Sequence, residues 1–311
     1  DVVLDRSKSL IDKAKIYEIR IEYLTVANRL GEAIETGRRV LKLLGLNIPE
    51  KPTRLDIEAK YLKIQFALIG RTFDDLRNMP EMKDEKYLTI MRILMRTGTA
   101  AYSFSGTFML MLVLNAVNIS LKHGTAPVTP VIYAAYGYYL CAYLGKRELG
   151  YRFGRLAIDL QSDMESKAYE CRTNLLFEIL IRHNKEHIRN TLAGFPDNHM
   201  KGLNSGDLTS AGHIMMQHFV YAYLSGRELH SNRKEMEDYR GDLQITGDRT
   251  AISVCMMYLQ GIVNLLEGFE KPWELKGQYF NEGELPHYKA VNDRTVIFNS
   301  YFNKMLLSYL F

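Results

Sequence analysis

Proline is scarce in this chain, eight residues among 311, and helix formers (Leu, Ala, Met, Lys, Arg, Glu) dominate most windows. That scarcity excludes a proline-rich linker, and no low-complexity tract takes its place. Cysteine is sparser still. Cys141, Cys171 and Cys255 lie far apart in apolar windows, with no CxxC or Cys/His spacing, so they read as buried free thiols in a reducing compartment.

An excess of charge of one sign is also missing. Forty basic and 36 acidic residues give a net charge of +4 and are interleaved along the chain, which argues against a nucleic-acid surface, where Lys and Arg concentrate on one face. Long hydrophobic runs are absent too. The most apolar stretch, Phe108 to Leu121, would reach about 21 Å as a helix against a hydrocarbon core of roughly 30 Å, and Asn115, Asn118 and Ser120 interrupt it. It is expected to be an interior helix, with no membrane span. The opening DVVLDRSKSL is charged and lacks the apolar core of a secretory leader. With no initiator Met and an apolar final run, NKMLLSYLF, the chain is expected to be a piece of a longer polypeptide.

Catalytic signatures are the last absence. GxxxxGK[ST], GxSxG, HExxH and the kinase motifs do not occur, nor does an Asn-Gly or Asp-Gly hairpin turn between alternating strands. No catalytic or cofactor-binding residue is assigned, and no cofactor is expected.

What is present is helical rhythm. Leu10, Ala14, Tyr17, Ile21, Leu24 and Ala27 recur at intervals of four and three, and a second amphipathic helix follows that stops at Gly45 with Pro49 beyond. Thr53 offers an N-cap to a helix with two apolar stripes, Ile57/Tyr61/Ile64/Leu68 and Leu62/Phe66/Ile69, which predicts packing on two sides. Further pairs follow: Tyr87 to Phe104 with Phe108 to Leu121, then VIYAAYGYYLCAYL with RELGYRFGRLAIDL. Residues 271–292 read as an irregular surface loop before a last helix.

One segment occurs twice. AYLGKREL, Ala142 to Leu149, returns 80 residues later as AYLSGREL, Ala222 to Leu229, identical at six of eight positions. The spacing equals about two repeats of a roughly 40-residue helical class, with residues 167–207 as the intervening unit. Each copy is expected to be a corner between paired helices. Glycine ends the first helix, and Glu148 or Glu228 lies near the N-terminus of the next, where negative charge is favoured. The expected fold is all-α, an α-solenoid of antiparallel helix pairs with degenerate repeats, one helical-repeat domain over 1–311.

Several side chains are candidates for a site. His183 and His187, at i and i+4 with Glu186 between them, are the sharpest metal candidate, but HNKEH lacks the HExxH order and a third ligand, and Asn184 is a plausible helix break. His213 and His218, five apart, read as ordinary partly buried histidines. Tyr133, Tyr136, Tyr138, Tyr139 and Tyr143 could line a groove, yet their spacing covers every side of one helix. Met91, Met95, Met109 and Met111 read as adaptable core filling.

The runs GEAIETGRRVLKLLGLNIP, LRNMPEMKDEKYLTIMRIL, ILIRHNKEHIRNTL, GDLTSAGHIMMQHFVYAYLSGREL and YLQGIVNLLEG resemble the TPR-like helical region of very large multidomain signalling proteins. Those proteins combine a Ser/Thr-kinase-like domain, an AAA/STAND-type ATPase, this helical region, a GAF domain and often a histidine kinase. The likeness covers about residues 27–311 and departs from the 34-residue TPR signature, notably at Gly150 and Gly154. It implies a non-enzymatic, cytoplasmic regulatory segment whose partners are another protein or neighbouring domains of the same chain. The rivals are a ligand-sensing helical domain of a STAND-type regulator and a helical metal-dependent enzyme using His183 and His187.

Overall fold

Helix boundaries fall where side chains can satisfy the free backbone groups at helix ends. The computed structural model describes residues 10–27 and 29–311; the segment DVVLDRSKS, whose charge argued against a leader, lies outside them. Among the described residues the protein is all-α, with sixteen α-helices, three short 3-10 segments and no strand. Among these residues extended pairing is limited to two isolated bridges, Glu81 with Thr125 and Lys276 with Asn281. The chain divides into two compact units, one reaching Tyr169 and the other running from Glu170 to Phe311.

In the first unit, α1 (Leu10–Val26), α2 (Leu30–Leu43) and α5 (Glu85–Phe104) pack on one another. Helix α3 (Arg54–Leu68) lies on α6 (Gly106–His123), α6 on α7 (Thr129–Ala142), and α7 most extensively on α8 (Arg147–Asp163), where the short α4 (Phe73–Arg77) also rests. Thr53 and Asp56 form a capping box on α3, and Thr72 and Asp75 form another on α4. Ser105 serves two helices at once: its amide donates to Ala101 O at the end of α5, and its hydroxyl accepts from Phe108 N at the start of α6. Helices α6 and α7 are apolar nearly all round and form the interior, with Phe108, Met111 to Val117 and Val131 to Gly137 buried.

Helix α3 departs from expectation. Ile57 and Ile64 are buried, but Leu55, Leu62, Phe66 and Ile69 are 76, 52, 69 and 72% exposed. Its principal neighbour is α6 alone, so one stripe packs and the second faces outward. Periodicity identified both stripes; it could not show that only one has a partner.

In the second unit, α11 (Leu208–Leu224) packs against α9 (Glu170–Leu180), α10 (Phe195–Ser205), α12 (Leu229–Asp238), α13 (Arg240–Thr246) and α14 (Arg249–Glu267). Helix α14 is long and apolar enough to cross a membrane, but Val254 to Asn264 are all buried in this unit's core, as befits a core helix. Two further helices, α15 (Leu285–Ala290) and α16 (Arg294–Leu310), close the chain, and α16 packs on α14.

The stretch 271–292 is irregular to Asn281, then holds a 3-10 turn and α15. It also buries Leu275 and Phe280. Side chains of α14 hold it in place: Asn264 Nδ2 donates to Pro272 O (3.0 Å) and Glu274 O (2.8 Å), Gln260 Nε2 donates to Asn264 Oδ1 (2.8 Å), and Gln260 Oε1 accepts from Tyr279 N (3.1 Å). These bonds replace the backbone partners that a strand or helix would supply. Asn264→Ala is expected to cost about 2 kcal/mol, because two loop carbonyls lose their donor. Hydrogen exchange should show faster amide exchange over 272–282 while α11 stays protected.

Candidate functional site

Both copies of the repeated segment turn the chain from one helix into the next, but they close differently. In the second copy α11 runs to Leu224, Gly226 takes the left-handed conformation (φ 74°), Gly226 N donates to Tyr223 O and Arg227 N to Ala222 O. This is a Schellman ending. In the first copy α7 ends at Ala142, the left-handed residue is Gly145 (φ 63°), and Lys146 N reaches back to Leu140 O at 2.8 Å. The glycine has moved by one position within the segment, and the turn with it.

Glu228 is the N-cap of α12, accepting from His230 N at 2.8 Å and Ser231 N at 2.6 Å, and those backbone bonds hold its carboxyl below the usual carboxylate range. Glu148 lies in the first turn of α8. Both therefore sit near a helix N-terminus.

The side chains differ more than the backbones. In the second copy Arg227 donates to Glu235 Oε2, and Glu235 Oε1 receives His218 Nε2 at 3.1 Å. The His218 hydrogen bond, with the charge of Arg227, holds the Glu235 carboxyl below its ordinary range. An ionised carboxylate can only accept, so Nε2 carries the proton here. His218 is buried edge-on against Phe195 (5.9 Å) and Phe219 (5.3 Å), and its Nδ1 has no hydrogen-bond partner among the described residues. Tyr223 packs on Tyr258 of α14 at 5.5 Å, and burial pushes its phenol up to about 12.

Eighty residues earlier, the counterparts of Tyr223, Arg227, His218 and Glu235 are Tyr143, Arg147, Tyr138 and Arg155. The carboxylate is replaced by a second guanidinium. Arg155 lies 3.8 Å from Asp159 on its own helix, and Arg147 is exposed with no ion pair or side-chain hydrogen bond among the described residues. Tyr143 is 64% exposed. It stacks on Tyr139 (5.7 Å) and meets Tyr138 edge-on (6.1 Å); Tyr139 leads in turn to Tyr61 (6.5 Å), whose hydroxyl accepts from Lys146 Nζ at 2.6 Å.

The five tyrosines weighed as a groove thus divide. Tyr133 and Tyr136 are buried against Phe153 at 5.8 and 4.9 Å, Tyr133 sharing a 3.2 Å hydrogen bond with Ser120, and burial raises both phenols, Tyr133 to about 12. Tyr139 is nearly covered, and only Tyr138 and Tyr143 reach the surface.

The metal candidate is not assembled. Helix α9 ends at Leu180, Arg182–Asn184 is a 3-10 turn, and Asn184 Nδ2 donates to Ile181 O at 3.0 Å, so His183 and His187 do not share a helix face. The physical reason is that α9 ends at Leu180, before either histidine, so the i, i+4 spacing no longer places them on one face. His187 Nδ1 instead accepts from Arg189 N (3.1 Å), and Glu186 pairs with Arg182 (2.9 Å). Among the described residues no three His, Cys, Asp or Glu side chains converge on a point where a metal could sit. His213 Nδ1 faces Thr209 O at 2.9 Å and Asp248 at 3.3 Å.

Met91, Met95 and Met111 are buried, and Met109 packs beside Gly98. All three thiols are buried. Burial, with Asp207 nearby, pushes Cys171 up to about 12, and burial raises Cys141 and Cys255 as well, which suppresses the thiolate a nucleophile needs. An open cleft of about 570 Å³ lies between Arg71 and His123 in the first unit. Its polar groups have structural duties: Arg71 donates to Leu121 O at 3.0 Å, Asp75 caps α4, and His123 stacks on Tyr87 at 3.6 Å.

No protein-family profile, no curated protein and no solved structure matches this chain.

The Arg227, Glu235 and His218 cluster escaped sequence reasoning, which reads His218 as an ordinary partly buried histidine. The missing signal was Glu235, eight residues after Arg227 and nearly two turns into α12. Comparison with position 155 of the first copy would have exposed it as a change of charge sign.

Proposed function

We propose that this chain is a non-catalytic interaction and regulatory segment of a cytoplasmic multidomain signal-transduction protein, built as a TPR-like α-solenoid with degenerate repeats. Catalysis would reside in modules outside it, and its partners would be another protein or neighbouring domains of the same chain. Three features support this reading: several helix pairs consecutive in sequence pack on each other, among them α1 with α2, α5 with α6, α7 with α8 and α10 with α11, a helix corner recurs 80 residues apart, and several runs resemble the helical region of large signalling kinases.

The observation that carries it is the outward apolar face of α3. Leu55, Leu62, Phe66 and Ile69 form one continuous exposed stripe, and contiguous exposed apolar area on a folded surface marks a place where another polypeptide packs. Helix α16 has a second such stripe in Phe298, Tyr301, Met305 and Tyr309, while its buried side includes Ser300 and Asn303.

A photo-crosslinking phenylalanine analogue placed at Leu62, Phe66 or Tyr301 tests the reading, with Gln244 as an exposed polar control. Discrete polypeptide adducts at the apolar positions are expected. Yields no higher than at position 244 would refute it.

A further inference from the structure

We propose that the corner between α7 and α8 docks an acidic segment of a partner polypeptide, with a carboxylate at Arg147 and an aromatic or other apolar side chain on Tyr143. The inference deepens the interaction reading above and rests on it.

The chain carries its own picture of what covers such a corner. In the second copy the arginine is met by the Glu235 carboxylate and the tyrosine by the Tyr258 ring, both supplied by the same unit. In the first copy the sequence is the same at these two positions, but both covers are missing. Position 155 is arginine, so α8 carries a cation at the position where α12 carries the carboxylate. Residues 142–148 are all exposed, and Tyr143 lacks a counterpart to Tyr258.

The charge around the corner selects the occupant. Lys146, Arg147, Arg152 and Arg155 are all exposed on the corner and the first turns of α8, against Glu148 and Asp159. Lys146 is drawn over the Tyr61 ring (5.1 Å) and Arg152 over Phe73 (4.1 Å). Arg147 keeps its donors available, and a guanidinium is suited to bidentate pairing with a carboxylate. The Tyr61, Tyr139, Tyr143 and Tyr138 rings give the apolar floor beside it. Glu235 at Arg227 is the precedent for a carboxylate over a nucleic-acid phosphate.

The test selects displayed random 12-residue peptides against the whole chain, then measures the recovered sequences by fluorescence anisotropy. Recovered peptides are expected to be enriched in Asp or Glu beside Phe, Tyr or Trp, and Arg147→Glu should weaken them by about tenfold or more. Arg155→Glu should weaken them to a lesser degree, by reversing one of the positive charges around the corner. Arg294→Glu, an exposed arginine of the second unit, should leave them unchanged, and circular dichroism should show all three variants folded.

Peptides without acidic enrichment, or binding indifferent to Arg147→Glu, would overturn the proposal. Displacement by oligothymidine at equal potency would assign the corner to single-stranded nucleic acid instead, and concentration-dependent dimerisation abolished by Arg147→Glu would assign it to a second copy. Peptides lost on Phe66→Asp but not on Arg147→Glu would reject this corner while sparing the broader interaction reading. Absence of both peptides and photo-adducts would reject both.

Discussion

Gly150→Ala is expected to destabilise the first unit by about 3 kcal/mol or more, lowering its melting temperature by roughly 6–12 °C. Gly150 faces α7 where the helices pack most closely. A Cβ there would lie 2.4 Å from Cys141 Sγ, 2.5 Å from Gly137 O and 3.1 Å from Cys141 N. Two of those atoms belong to the backbone of α7, so no rotamer change relieves the contact and the helices must separate. Cys141→Ala added to Gly150→Ala should therefore recover only a small part of the loss. Gly145→Ala provides the contrast. Its neighbourhood is open, and only its left-handed backbone (φ 63°) is at issue, which costs about 1 kcal/mol. Scanning calorimetry should rank the two in that order. A Gly150→Ala melting point within 2 °C of the parent would mean that α7 and α8 do not approach this closely.

Glu235→Ala is expected to cost the second unit about 2–3 kcal/mol at neutral pH, chiefly by leaving the His218 Nε2–H without its acceptor. Only 3% of the His218 side chain is exposed, so water cannot readily replace the carboxylate. The contribution of Arg227 is smaller because 37% of its side chain is exposed and solvent screens it. Glu235→Gln should recover part of the loss by restoring an acceptor without the charge.

The pH dependence follows from the direction of the shift. The Glu235 carboxyl is held below its ordinary range in the folded state, so its stabilisation is complete above the unfolded value of about 4.3 and is lost as pH falls through the depressed folded value. The stability gap between parent and Glu235→Gln should hold steady above about pH 5 and narrow below pH 4. Urea unfolding across that range measures it, and a gap unchanged down to pH 3 would show that Glu235 is not the charged centre of this cluster.

Much of the local structure was legible in the residues. Thr53 marked the start of α3, and the repeated segment marked two helix corners, because caps and glycine turns act over three or four residues. Other elements were not legible. Helix α10 has Pro196 in its first turn, Gly202 inside it and only a short apolar pattern, so FPDNHMKGLNS lacked a helical signature. Residues 271–292 read as surface because their backbone partners are side chains of α14, and their spacing in sequence does not encode that pairing. His183 and His187 had helical spacing, but the chain leaves the helix just before them.

The candidate corner was half legible. Its existence and its use as architecture could be read from six identities in eight positions. The change from Arg155 to Glu235 stands in the sequence, but the contacts Glu235 makes could not be read there, since they join residues 8 and 17 positions apart across two helices.

By itself, then, the sequence determined an all-helical chain, the approximate limits of most helices and the recurrence of one corner, since these follow from the periodicity and capping chemistry of neighbouring residues. Tertiary structure alone decided which apolar stripe of α3 has a partner, which of two equivalent arginines is neutralised, and which of two equivalent tyrosines is covered. Those outcomes depend on what lies opposite a side chain in space, and an amphipathic pattern specifies a face without specifying its neighbour.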